Sequence, residues 1–147
     1  MDMKIDKKMI FDLLGIIGSI LLIAGPFLAW AIITDLPFAN TIYGYSLGEG
    51  AMLIIVGFLG LIASVILAAY PAKITALFVT IVGIVSLLTC VLDLASLPTI
   101  VYGANPPASP SLGTGIGLYL CLIGSILLLV AGLMPLLLAM IKKKKKK

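Results

Sequence analysis

The sequence contains no histidine and no arginine. Without histidine it lacks the commonest general base and metal ligand of proteins, and without arginine it lacks the bidentate clamp for phosphate groups. Its one basic cluster is a lysine run that follows an apolar segment at the end of the chain. We therefore expect no enzyme activity, no cofactor and no nucleic-acid partner.

Cysteine is also scarce, and neither of the two cysteines stands in a CxxC or zinc-type spacing. Cys90 and Cys121 both fall inside apolar runs, so each is expected to behave as a small buried apolar residue. The predicted positions of the two cysteines allow a disulfide bond between them, but the sequence does not imply one.

Long apolar runs dominate the chain, which is 62% hydrophobic with a mean hydropathy of +1.27. Soluble domains contain roughly 45–50% apolar residues, and runs this long are typical of bilayer-spanning helices. The predicted fold class is a single all-α domain, a four-helix transmembrane bundle. Its predicted elements are helices over residues 10–33, 50–70, 73–94 and 114–141, outer loops over 34–49 and 95–113, and a lysine tail over 142–147.

The lysines and three of the acids lie on opposite predicted faces of the membrane. All ten lysines lie at helix ends that share one face of the bilayer, whereas Asp35, Glu49 and Asp93 flank the opposite ends. Because lysine is enriched in cytoplasmic segments, both termini are predicted to be cytoplasmic. An aromatic belt at the outer interface is expected to contain Trp30, Tyr43, Tyr45, Tyr102 and Tyr119. Lysine-only, isoleucine-rich usage favours the plasma membrane of a bacterium or archaeon.

Glycines repeat with matched spacing before and inside the second and fourth predicted helices. Both of these helices run from outside to inside, so the pattern is consistent with two tandem helical hairpins that arose by duplication. The matched glycines are Gly48, Gly50 and Gly57 in one half, and Gly115, Gly117 and Gly124 in the other.

Small residues recur at helical spacing on three of the predicted helices. In lipid, helices associate where small side chains let their backbones approach, so these residues are candidates for helix packing within the bundle or for an interface with a partner. The candidates are Gly15, Ser19, Gly57, Gly60, Ser64, Gly113, Gly117, Cys121 and Ser125.

Three carboxylates form the one candidate polar site. Asp35, Glu49 and Asp93 are all predicted at the outer interface, where they are weak candidates for a hard-cation site with oxygen ligands. The alternative is that they are ordinary solvated acids. Near their centres the helices carry no acid or base, which disfavours ion-coupled transport.

The lysine tail is expected to attract anionic lipid headgroups on the cytoplasmic side, at roughly 1 kcal/mol for each residue near the surface. A stop-transfer role alone is the simpler alternative. The residues concerned are Lys142, Lys143, Lys144, Lys145, Lys146 and Lys147.

Short motifs mark the helix ends: Pro26 to Trp30 closes the first helix, Gly48-Glu49-Gly50 opens the second, and Gly115-Ile116-Gly117-Leu118-Tyr119 opens the fourth. In these motifs the chain resembles a loose class of uncharacterised prokaryotic four-helix transmembrane proteins, which implies a fold and no activity. Its topology is distantly similar to that of claudin-like tetraspan proteins. The paired loop cysteines and the Gly-Leu-Trp motif of that family are missing here.

We expect a non-catalytic structural or accessory protein that assembles with itself, as a homo-oligomer, or with a larger membrane complex through small-residue helix faces. The outer loops are expected to add a second contact surface. The main alternative is a small channel or carrier for an apolar or weakly polar solute. A lipid-directed, metal-dependent enzyme that uses the three carboxylates is the third reading. For the carrier, the expected cavity would be lined by Ser19, Ser64, Thr80, Ser86 or Thr89.

Overall fold

The computed structural model describes residues 7–34, 40–103 and 112–144. Four helices in this part of the chain are long and apolar enough to cross a membrane, which confirms the predicted four-helix bundle. They are α1 (Lys7–Ala24), α2 (Gly48–Ala69), α3 (Lys73–Tyr102) and α4 (Ile116–Lys144).

The first helix is shorter than the sequence predicts. It ends at Ala24 instead of residue 33, and a 3-10 turn over Gly25–Phe27 follows. Pro26 lacks the N–H that would continue the helix, and its ring crowds the preceding turn. In the structure the chain therefore leaves the helix just before Pro26. The following segment, Ala29–Ile33, forms strand β1.

A small antiparallel sheet, which the predicted all-helical boundaries omit, stands at this end of the bundle. Strand β2 (Asn40–Tyr43) and strand β3 (Leu112–Thr114) pair with β1 on either side, in the order β2-β1-β3. Ala31 of β1 lies opposite Ile42 and Thr114. Strand β1 lies within residues 10–33, the range that the sequence assigns to the first helix.

The third helix is longer than predicted. It continues to Tyr102, through Pro98, instead of ending at residue 94. Apolar residues continue past the predicted end, and a proline in a helix removes only one backbone hydrogen bond if neighbouring packing holds the helix together. Gly103 ends the helix with a φ of 75°, and its N–H donates to the carbonyl of Thr99. Glycine adopts this left-handed conformation without the steric cost of a side chain.

Helix α4 is the centre of the bundle, because it packs extensively against both α1 and α3, whereas α2 and α3 share the smallest of the four helix–helix contacts. The backbones of α1 and α4 meet at a glycine pair. A methyl group on either Gly18 or Gly124 would lie 2.6 Å from the carbonyl oxygen of the other. Gly132 faces Thr80 of α3 in the same way. These contacts are possible only because glycine has no side chain.

The two ends of the bundle differ. The start of α1, the turn between α2 and α3, and the last part of α4 surround one cavity, which is lined by Asp12, Lys73 and Pro135 among others. We call this end the lysine end. We call the opposite end, where the three strands lie, the sheet end.

The expected tandem duplication stays a prediction. Gly57 of α2 contacts Ile23 of α1, and its matched residue in α4, Gly124, also contacts α1, at Gly18. The paired glycines therefore share one neighbouring helix, whereas duplicated hairpins would place Gly124 against α3.

Replacing Gly18 with alanine should lower the free energy of unfolding by about 1–3 kcal/mol, because the added methyl group must displace the α4 backbone. Gly48→Ala is the matched control, since a methyl group there has nothing within 4 Å; it should change stability by less than about 0.5 kcal/mol. Thermal unfolding in detergent micelles measures both variants. Equal stability of the two variants would show that the Gly18–Gly124 contact does not require glycine at position 18.

Candidate functional site

The small residues singled out in the sequence lie inside the bundle, with one exception. Ser19, Cys121 and Ser125 have no exposed surface and Ser64 has 2%, while Gly15, Gly57, Gly60 and Gly117 are also buried. Gly113 is the exception, because it is an exposed residue of β3. The structure therefore uses the buried members for packing between helices, and their side chains are covered by the chain itself.

Individual contacts show how these residues pack. A methyl group on Gly60 would lie 3.1 Å from Ser19 Oγ, and one on Gly15 would lie 2.8 Å from Ser64 Oγ. Gly117 faces the carbonyl oxygen of Gly25, where α1 ends. The small residues of α2 and α4 therefore contact α1 from two sides.

Polar side chains at membrane depth are bonded mainly to their own helices. The hydroxyls of Ser19, Thr80 and Ser125 each donate to a carbonyl four residues earlier, at 2.8 Å in each case. Ser86 donates to Gly83 and Thr89 to Val85. Hydroxyls bonded in this way are satisfied within their own helices, whereas the buried Ser64 Oγ has no hydrogen-bond partner among the described residues.

The cysteines are free and buried, as expected of small apolar residues. Cys90 of α3 and Cys121 of α4 belong to one core cluster with Leu22, Trp30 and Leu53 among others. Cys90 Sγ lies 3.6 Å from Ser125 Oγ. This cluster joins all the helices in the half of the bundle nearest the sheet.

Of the three candidate carboxylates, Asp35 lies outside the described residues. Glu49 is half-buried in the first turn of α2, and Asp93 of α3 is only 4% exposed. Both of these acids lie in the half of the bundle nearest the sheet. In the part of the chain that the structure describes, no group of three His, Cys, Asp or Glu residues could hold a metal ion.

Asp93 is therefore a buried acid and not a solvated one. Its Oδ2 atom has no hydrogen-bond partner among the described residues, and every lysine of the chain lies in segments assigned to the other face. A buried carboxylate with an incomplete set of partners carries a desolvation cost. Sequence position indicated an interface residue, but the continuation of α3 to Tyr102 places Asp93 more than two turns from the helix end.

Trp30 is also buried, with no exposed surface, so the predicted position in an exposed aromatic belt is wrong for this residue. Its ring lies against Gly44, where a Cβ atom would overlap the indole. Its carbonyl accepts a hydrogen bond of 2.7 Å from Gly115 N–H. Trp30 thus fills the space beneath the sheet and connects three chain segments. Gly44 leaves room for the ring, but no feature of the sequence indicates that these two residues meet.

Three aromatic side chains at the sheet end project outward instead. The rings of Phe27 and Tyr45 stack with centroids 5.9 Å apart, and those of Tyr43 and Tyr45 with centroids 5.7 Å apart. Their exposed fractions are 55%, 42% and 52% for Phe27, Tyr43 and Tyr45. We call this group the aromatic surface. Sequence reasoning placed Tyr43 and Tyr45 at the interface but did not anticipate the stack with Phe27.

The lysine end carries the second chemically distinct surface. Lys73 and Lys143 are exposed there, beside a cavity of about 390 Å³ and a groove of about 820 Å³. Of the lysine tail, Lys142 to Lys144 continue α4, and Lys145 to Lys147 lie outside the described residues.

No protein-family model matches the sequence, and no curated protein matches it at a significant level. The resemblance to prokaryotic four-helix proteins and the distant similarity to claudin-like proteins therefore stay predictions.

Replacing Asp93 with asparagine should raise the free energy of unfolding by about 1 kcal/mol, because a neutral amide of similar shape is cheaper to bury than a carboxylate. Glu49→Gln, which removes the other charge of the pair at a half-buried position, should produce a smaller rise. Thermal unfolding in micelles is the measurement. A loss of stability in Asp93→Asn would show that the carboxylate has a stabilising partner outside the described residues.

Proposed function

We propose that this chain is a non-catalytic structural or accessory membrane protein that assembles with itself or with a larger membrane complex. The aromatic surface at the sheet end is the contact site. The observation that carries this proposal is the stack of Phe27, Tyr45 and Tyr43. Large aromatic side chains held in a fixed arrangement contribute area at low entropic cost and dominate many protein interfaces.

The sequence predicts an interface on the small-residue helix faces, but packing within the bundle already covers the buried residues of those faces. Because Gly15, Gly60 and Gly117 are covered within the chain, they have no free surface for a partner helix. The outward faces of α2 and α3 carry bulky apolar residues such as Ile55, Ile62 and Leu92. Such faces suit contact with lipid chains more than close helix association. The sheet end is therefore the favoured contact region.

The carrier alternative is less well supported. Of its expected lining residues, Ser19, Thr80 and Ser86 are buried and bonded to their own helices, whereas the buried Ser64 hydroxyl has no partner among the described residues. Leu22 and Leu128 have no exposed surface, and they fill the space between glycine-mediated helix contacts. For the lipid-directed enzyme hypothesis, the described residues include only Glu49 and Asp93 of the three carboxylates, and no group of three ligands among the described residues could hold a metal ion.

The chain is proposed to span the plasma membrane of a bacterium or archaeon with both termini in the cytoplasm. The lysine end would then face the cytoplasm and the sheet end the exterior. The distribution of charge supports this orientation, because lysine is retained on the cytoplasmic side. The lysine tail would lie against anionic headgroups of the inner leaflet.

Single cysteines test this orientation. Gly48→Cys places an exposed thiol near the sheet end, and Lys143→Cys places one at the lysine end. A membrane-impermeant maleimide should label the first in intact cells and the second only after permeabilisation. The unmodified chain is the control, and it should stay unlabelled because Cys90 and Cys121 are buried. The reverse labelling pattern would contradict the proposed orientation.

Truncating the aromatic surface tests assembly. The double variant Tyr43→Ser/Tyr45→Ser should weaken the complex by about 2 kcal/mol or more, roughly thirtyfold in Kd, as expected for loss of aromatic interface residues. Native mass spectrometry of protein extracted gently from its own membrane measures the distribution of complexes.

Tyr119→Ser is the matched control, because Tyr119 is a tyrosine of similar exposure in the first turn of α4 and lies outside the stack. It should leave the distribution unchanged. A lone monomer in the unmodified protein, or equal loss of assembly in both variants, would contradict the proposed contact site.

A further inference from the structure

Lysine and apolar side chains meet in one groove at the lysine end. The groove has a volume of about 820 Å³ and lies between the start of α3 and the last turns of α4. Lys73 and Lys143 line it together with Leu137, Met140 and Ile141. Its size is within the usual range for small-molecule sites, roughly 300–1,000 Å³.

The groove combines charged and apolar side chains, as the boundary between lipid headgroups and acyl chains combines polar and apolar groups. Helix α4 has 29 residues, which is about 44 Å of helix, against a hydrocarbon core of roughly 30 Å. Its end therefore reaches the headgroup region. Leu137 lies six residues before Lys143, which is about 9 Å along the helix axis. An amphiphile bound here would meet charge and apolar surface at the depths where its own groups lie.

The two lysines come from different helices, so the distance between their backbones is set by the packing of α3 against α4. Lys73 is the first residue of α3 and follows the turn at Pro71. Lys143 lies near the end of α4. A phosphate between the two ammonium groups would bridge α3 and α4 where no side chain of opposite charge lines the groove.

One acid does lie near. The adjoining cavity of about 390 Å³ shares Lys73, Leu136 and Ala139 with the groove, and Asp12 also lines it. A carboxylate beside Lys73 reduces the positive potential that an anionic group would meet. Asp12 is therefore expected to oppose binding of an anion.

We propose that this groove binds one anionic phospholipid. Its phosphate lies between Lys73 and Lys143, and an acyl chain lies along Leu137, Met140 and Ile141. The assignment rests on the proposed membrane placement of the lysine end, and it adds to that placement a defined site with a stoichiometry of one. It differs from the general attraction of the lysine tail, which needs no groove and has no fixed stoichiometry.

Native mass spectrometry of the full chain, titrated with phosphatidylglycerol in detergent, tests the site. The unmodified protein should show one saturable lipid adduct that is tighter than any later one. Lys73→Gln and Lys143→Gln should each weaken this first adduct about fivefold, which corresponds to about 1 kcal/mol. Asp12→Asn should strengthen it.

Two controls decide between the site and general charge attraction. Lys146→Gln removes the same charge from the tail and should leave the first adduct unchanged. Phosphatidylcholine, which is zwitterionic, should bind at least fivefold more weakly than phosphatidylglycerol. Equal effects of all three lysine variants, or equal binding of both lipids, would overturn the proposal.

The same spectra separate this proposal from the proposed assembly. Tyr43→Ser/Tyr45→Ser alters the sheet end and should leave the first lipid adduct intact, whether or not complexes persist. A weaker first adduct in Lys73→Gln with complexes unchanged supports the lipid site alone. An unchanged affinity of the first adduct in Lys73→Gln and Lys143→Gln overturns the lipid site without affecting the assembly proposal.

Discussion

The close approach of α4 to its neighbours is the constraint on which the rest of the structure depends. Where Gly18 meets Gly124, the backbones of α1 and α4 touch, and Gly83 and Gly132 bring α3 to the other side of α4. In a bilayer the hydrophobic effect does not drive helices together, so such contacts and their dispersion energy hold the bundle. Every other feature is positioned relative to α4.

The close packing of these helices also explains why the small residues did not identify a surface for a partner. A glycine or serine every fourth residue predicts that a helix is approached closely, but the spacing is the same whether the approaching helix belongs to the same chain or to another. For Gly60, Gly117 and Ser125 the structure resolves this ambiguity in favour of internal packing. What remains on the outside is bulky and apolar along the helices, with aromatic residues at one end and lysines at the other.

Sequence reasoning obtained the helix count and the division into two ends because both follow from long-range averages of hydropathy and charge. It did not obtain the sheet, since strand Ala29–Ile33 continues an apolar run and differs from helix only through the break at Pro26. It also missed the burial of Trp30 and Asp93. Those properties depend on which segments pack above them, as Gly44 does on Trp30, and neither hydropathy nor spacing encodes that pairing.

The three-stranded sheet joins helix ends by backbone hydrogen bonds at one end of the bundle. Strand β1 follows α1, β2 precedes α2 and β3 precedes α4. The hydrogen bonds between the strands therefore connect the ends of these three helices. Within the described residues, α3 adjoins no strand, and its contact with α2 is the smallest of the four. Helix α3 is thus held to the rest of the bundle mainly by its packing against α4, whereas α1, α2 and α4 are also joined to one another through the strands.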